Sequence, residues 1–222
     1  MRSNLNRRAL LLALGIGCPA SVALGWGLSE WMLANRAAQA PTSRSPFGQP
    51  IGTPFTLTDH TGRRVTDQSF AGQVRLVFFG FTHCPDICPT GLGYIAEALD
   101  SLTEQEVAKV SPLFISVDSG RDTPELLASY VTNFHPSLIG LTGTEGEVAQ
   151  AAAAFHTYYA KVPTGGDSYV MDHAGSIYLL GPDGTLQGFL DIHEPPATAV
   201  AKIRLALGIP ASKTTETGNR PS

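Results

Sequence analysis

Cysteine is scarce in this chain: there are three in 222 residues, and one of them, Cys18, lies inside an apolar N-terminal run. The sulfur chemistry of everything that follows therefore rests on Cys84 and Cys88 alone. Clustered positive charge is also missing. Beyond the N-terminus no stretch is densely basic and the formal net charge is −4, so the electrostatic footprint of a nucleic-acid binder is absent. No internal repeat is visible. With 43% hydrophobic residues, the chain has material for one well-buried domain with appendages and not for a second full domain.

Charge is absent again from Ala9 to Leu28, a run preceded by Arg2, Arg7 and Arg8 and followed by Glu30. Its length meets the ~20 residues that a helix needs to cross a bilayer. The cations before it place the N-terminus in the cytoplasm and the rest of the chain across the membrane. The expected layout is a cytoplasmic basic segment over 1–8, a single transmembrane anchor over 9–29, a linker over 30–50, a globular domain over 51–209 and a disordered tail over 210–222. The domain then faces the periplasmic side of the inner (cytoplasmic) membrane. A cleaved signal peptide competes with this reading, because Ala38-Gln39-Ala40 has the small-x-small form of a cleavage site. The apolar run is longer than a signal core, however, and Pro41 would follow the scissile bond. Cys18 reads as a small apolar residue of the anchor. The linker is rich in Pro, Ser, Gly and Gln from Pro41 to Pro50, and the tail is polar without apolar periodicity.

Inside the domain, Val74 to Phe81 is a nearly continuous apolar run rich in β-branched and aromatic residues, the pattern of a central strand covered on both faces. Leu92, Ile95, Ala96, Leu99 and Leu102 then recur at helical spacing. A second unit follows: the strand Leu113 to Val117, and a helix begun by Asp122-Thr123-Pro124-Glu125, with Asp122 as the capping side chain. Leu138 to Thr142 is a short strand and Glu147 to His156 a helix of high propensity. Ile177 to Leu180, Gly181-Pro182-Asp183-Gly184 and Thr185 to Leu190 read as strand, turn and strand, and a closing helix covers Pro196 to Leu207. Phe55 to Leu57 and Arg64 to Thr66 form an added N-terminal β-hairpin. The sum is an α/β fold, a thioredoxin-like mixed sheet flanked by helices.

The chemistry concentrates at Phe81-Thr82-His83-Cys84-Pro85-Asp86-Ile87-Cys88-Pro89, where the strand hands over to the helix. A cysteine at a helix N-terminus is favoured as thiolate by the helix dipole and by unpaired N–H groups. Residues four apart in a helical turn share a face, so the C-x-x-x-C pair is close enough for a shared metal or a disulfide. Two thiolates do not close a metal site. His173, in Met171-Asp172-His173-Ala174-Gly175, sits in a loop opened by Pro163 to Asp167, and this flexible stretch would bring it to the cysteines. Two sulfurs and one imidazole suit Cu(I) and are acceptable to Cu(II) or Zn(II), so the metal stays open on these grounds. A structural disulfide is the plainer alternative for the cysteines. His83 reads as structural, pointing away from the metal, and His60, His135, His156 and His193 as surface or packing residues. Asp118 and Asp122 lie at a strand end near the cysteines, where they would tune the site, and Asp86 is either a modulator of the thiolates or a solvated turn acid.

With these residues in view, the chain resembles the Sco/SenC family of copper chaperones. The likeness spans about Phe55 to Leu207 and is carried by Val77 to Thr90 with its C-P-x-x-C-P core, by Ser116 to Pro124, by Gly140 to Gly143, and by Asp172-His173 before Tyr178-Leu179. The resemblance implies that Cys84, Cys88 and His173 are ligands of a copper ion, Cu(I) or Cu(II). It implies delivery of copper to, or preparation of the thiols of, the binuclear copper site of cytochrome c oxidase, with the copper-site subunit as partner and a donor protein that the residues do not name. Ala174-Gly175 after His173 and Ser119-Gly120 after Asp118 depart from the family's usual residues without touching a ligand. Such a protein binds and transfers rather than turning over a substrate. A thiol–disulfide oxidoreductase, with Cys84 and Cys88 as the redox pair, is the competing class, although ordinary redox thioredoxins use C-x-x-C and need no histidine. The surroundings of Cys84 do not resemble a peroxide-reducing site.

Overall fold

A computed structural model describes residues 51–166 and 168–210. The expected anchor, the linker up to residue 50 and the tail from residue 211 lie outside the described residues. Among the described ones, no helix is long and apolar enough to cross a membrane.

The run that reads as a central strand is central. β3 (Val74–Gly80) is buried at every position, parallel to β4 (Val110–Ser116) on one side and antiparallel to β8 (Ile177–Leu180) on the other. β5 (Ile139–Thr142) continues the parallel set beyond β4. β1 (Thr56–Asp59) and β2 (Arg64–Thr66) form the N-terminal hairpin, which adds antiparallel to β5. β9 (Leu186–Leu190) closes the opposite edge, giving the order β2-β1-β5-β4-β3-β8-β9. The α-helices among the described residues are α1 (Ile87–Asp100), α2 (Glu104–Val107), α3 (Pro124–Val131), α4 (Glu145–Ala154) and α5 (Pro196–Ala206). Of these, α1 packs on α5, α3 on β5 and α4 on β1. This is the mixed, thioredoxin-like α/β sheet flanked by helices that the sequence leads one to expect, N-terminal hairpin included.

Successive side chains of a strand point to opposite faces, and β3 uses this to divide the core in two. Phe78 meets Phe114 and the His173 ring on one face. Phe79 meets Phe155 and Tyr178 on the other, where Phe55 and Phe189 extend an aromatic cluster.

Two local expectations need correction. The stretch before His173 is not a flexible loop but a hairpin, β6 (Tyr159–Gly165) with β7 (Ser168–His173), forming a separate two-stranded sheet. Most of its side chains are exposed or half-buried, so no apolar alternation marks it in the sequence, and Pro163, Gly165 and Gly166 read as loop. The cap of α3 is Thr123, whose hydroxyl accepts from the Leu126 N–H. Asp122 is occupied elsewhere, as shown below.

The turn of the β1–β2 hairpin is organised by Asp59. One carboxylate oxygen accepts from the Thr61 N–H (2.8 Å), the Thr61 hydroxyl (2.6 Å) and the Arg63 N–H (3.0 Å), and the other from the Arg63 side chain (3.0 Å). Burial opposes the charge, but these donors together outweigh it and hold the carboxyl at about 2, against 3.8 ordinarily. A depressed folded pKa stabilises the fold above the unfolded value and is lost as pH falls through the folded one. Asp59→Ala is therefore expected to cost about 2 kcal/mol at pH 7. In urea titrations that gap to the wild type should narrow steadily between pH 4 and pH 2, and a gap indifferent to pH would show that the charge contributes nothing.

Candidate metal centre

β3 ends at Gly80, and Phe81 to Asp86 carry the chain into α1. Asp86 occupies the cap position without a side-chain cap bond and is exposed, a solvated turn acid. Cys84 lies in the turn before the helix, its N–H bonded to the Phe81 carbonyl (3.2 Å), and is partly exposed. Cys88 is the second residue of α1 and is 0% exposed. The two therefore do not share a helical face, yet their sulfurs converge, and both are free thiols. The Cys88 sulfur packs directly on the strand backbone: a Cβ at position 80 would lie 2.5 Å from it and 2.7 Å from the Phe114 ring. Only glycine fits there.

His173, the last residue of β7, completes a trio. One ligand atom from each of Cys84, Cys88 and His173 lies within 4.8 Å of the others, and Cys88 Sγ stands 3.4 Å from His173 Nε2. His173 Nδ1 is 3.1 Å from the Ala174 carbonyl. That acceptor draws the ring proton to Nδ1 and leaves the Nε2 lone pair facing the sulfurs. The ring stands edge-on to Phe81, centroids 5.8 Å apart, and to Phe78 at 6.4 Å, which limits its swing. Below it the Ala174 N–H donates to the Tyr158 carbonyl (3.1 Å).

The thiolate expected of a cysteine at a helix N-terminus is not what Cys88 experiences. Burial pushes its thiol well above the ordinary range, and the neighbouring Cys84 and Asp122 push it further. Removing the sulfur from water outweighs the one opposing contact, the Phe81 backbone hydrogen bond, so a positive ion in place of the proton would favour the charged sulfur here. Tyr130, packed between Phe114 and Phe134, is raised in the same way by burial and by the two cysteines. Two sulfurs and one nitrogen, mostly buried and walled by Phe78 and Phe81, with no carboxylate in the set, make a donor group for a soft ion of low charge. The separations fit one ion with bonds of about 2.0–2.3 Å after slight closure.

Asp122 is 1% exposed, and its carboxylate ties the cysteine loop to the end of β4. It accepts from the Thr82 N–H (2.9 Å), the Thr82 hydroxyl (2.6 Å) and the Ser116 hydroxyl (2.6 Å). Asp118 is likewise buried and bonds Arg121 and Tyr169. His83 is exposed, 3.0 Å from the Thr82 hydroxyl by Nδ1 and outside the trio. His60 accepts from the Gly140 N–H and His135 from the Ser137 N–H. Among the described residues, neither these nor His156 and His193 join the cluster. Thr82, Ser116, Arg121 and Tyr169 were not singled out from the sequence. The first three lie inside the segments that carry the family likeness, whereas Tyr169 lies outside them.

A thioredoxin-like domain with two thiols and an imidazole converging where its central strand meets a helix defines a thiol-and-metal protein. The SCO1/SenC family model matches residues 43–208, and the chain belongs to that family. It is 48% identical over 150 residues to the human mitochondrial SCO1 homologue, a match covering 65% of this chain and 48% of the relative. The chain thus spans about half the length of the curated relatives it matches. Among solved structures it is similar to Bradyrhizobium japonicum ScoI with copper bound (42% identity, TM-score 0.67, covering 70% of this chain and 99% of that one). It is also similar to BsSco, a Sco-family cytochrome c oxidase assembly protein in which a disulfide switch is identified (28% identity, TM-score 0.58, 72% and 95% covered).

Removing the Asp122 carboxylate strands three donors, two of them on the cysteine loop. Asp122→Ala is expected to lower stability by about 3 kcal/mol in chemical denaturation. It should also speed the reaction of Cys88 with a thiol reagent under native conditions, and an unchanged rate would mean that Asp122 does not hold the loop.

Proposed function

We propose that this chain is a copper-binding metallochaperone, in which Cys84, Cys88 and His173 hold one copper ion for delivery to the binuclear copper site of cytochrome c oxidase. The observation that carries this reading is the convergence of two free thiols and an oriented imidazole within 4.8 Å, a set suited to Cu(I). The copper-bound relative from Bradyrhizobium japonicum supports the choice of metal. The copper is cargo. It leaves by ligand exchange, and the partly exposed Cys84 is where an acceptor thiol would first reach it, while Cys88 is closed off by β3. Residues 9–29 anchor the chain in the inner membrane and present the domain to the periplasm, a placement supported by the cations before the apolar run.

The disulfide switch in BsSco favours a second reading, thiol–disulfide exchange on the oxidase's copper-site subunit. Cys84, the accessible sulfur, would attack a partner disulfide, and Cys88 would then displace the second partner sulfur. The partner gains two electrons and two protons as two thiols, and Cys84 and Cys88 end as a disulfide.

Anaerobic titration of the chain with Cu(I) against a competing chelator separates the two. One tight equivalent is expected, lost in Cys84→Ser, Cys88→Ser and His173→Ala while circular dichroism shows the domain folded. Binding that is weak, or indifferent to His173, would overturn the chaperone reading in favour of exchange.

A further inference from the structure

The β6–β7 hairpin carries His173 and forms a sheet separate from the main one. Among the described residues it has no backbone pairing to the seven-stranded sheet, and along β7 only Met171 is buried. A lone two-stranded ribbon is marginally stable in water, so side chains must fix where this one sits.

Tyr169 supplies the connection. It is four residues before His173 and shares its face of the strand. Its hydroxyl donates to Asp118 Oδ1 (2.8 Å), and its carbonyl accepts from Arg121 Nη1 (3.2 Å). The Arg121 guanidinium lies 3.9 Å from the ring centroid and Lys161 Nζ 3.7 Å from it. Arg121 in turn pairs through Nε with Asp118, which is 4% exposed and whose own N–H donates to Ser116. The Arg121 and Asp122 N–H groups both return to the Asp118 carbonyl, so residues 118–122 form one closed turn. That turn grips the cysteine loop through Asp122 and the histidine hairpin through Asp118 and Arg121.

We propose that Tyr169, locked by Asp118 and Arg121, is a positioning residue that sets the approach of His173 to Cys84 and Cys88. Undoing the lock lets the hairpin carry the imidazole away while Asp122 keeps the two thiols in place, converting a three-ligand holding state into a two-thiol releasing state. The consequence for copper rests on the chaperone reading. The lock itself does not.

Tyr169→Phe keeps the ring between its cations and removes only the hydroxyl. In the metal-free full-length chain, hydrogen exchange at the amides of residues 159–173 should quicken by about tenfold, the order carried by one hydrogen bond to a charged group. β3 and β4 should be unaffected. The His173 ring resonances should move toward those of an exposed imidazole, and Asp118→Asn should do the same more strongly. Cu(I) affinity should fall about tenfold in Tyr169→Phe, yet the same substitution should have no further effect on the weaker two-thiol binding that is left in a His173→Ala background. Unchanged hairpin exchange and ring resonances, or equal affinity losses in both backgrounds, would overturn the proposal. If the wild type binds no Cu(I) tightly, the chaperone reading falls, and exchange and ring resonances alone decide the lock.

Discussion

A carboxylate with almost no access to water is the constraint around which the centre is built. An ionised group in that position is tolerated only if its lone pairs are met, and Asp122 meets them with the Thr82 N–H, the Thr82 hydroxyl and the Ser116 hydroxyl. Those donors come from the loop that presents Cys84 and from the end of β4, so satisfying the charge fixes the loop. The loop leads into α1, where Cys88 packs against the backbone at Gly80. The same burial that orders the sulfur also raises its proton affinity. Order and reactivity are therefore set against each other until a cation arrives.

The sheet was legible because its strands are buried on both faces. Val74 to Gly80, Leu113 to Ser116 and Ile177 to Leu180 advertise themselves through unbroken apolar runs, and the added hairpin through its turn residues. The cysteines were legible through rarity, and His173 through the short segment around it. Strands whose side chains face water leave no such trace, which is why the β6–β7 hairpin reads as a loop. Asp122 misleads for a related reason: an Asp before Thr-Pro-Glu fits a helix cap, and only the fold shows that Thr123 takes that task. The helix-dipole argument for a reactive thiolate fails at Cys88 because position in a helix is visible in sequence and depth is not.

The histidine differs from the cysteines in how it is held. Cys84 and Cys88 belong to the frame of the main sheet, through β3, α1 and Asp122. His173 is carried on a ribbon attached by side chains, with its ring edge-on to Phe78 and Phe81. Two of the three converging side chains belong to the main sheet and its first helix, and the third to a ribbon outside that sheet, the kind of element from which moving parts are drawn.

The alternation of Phe78 and Phe79 has a consequence for how this domain tolerates change. Phe55, Phe155, Tyr178 and Phe189 gather on the Phe79 side of the strand, while His173, Phe114 and Tyr130 belong to the Phe78 side. The sheet acts as a partition between a compartment that supplies cohesion and one that supplies chemistry. Drift in the first alters how hard the domain is to unfold and leaves the donor geometry untouched, so durability and metal affinity are free to diverge among descendants of one sequence.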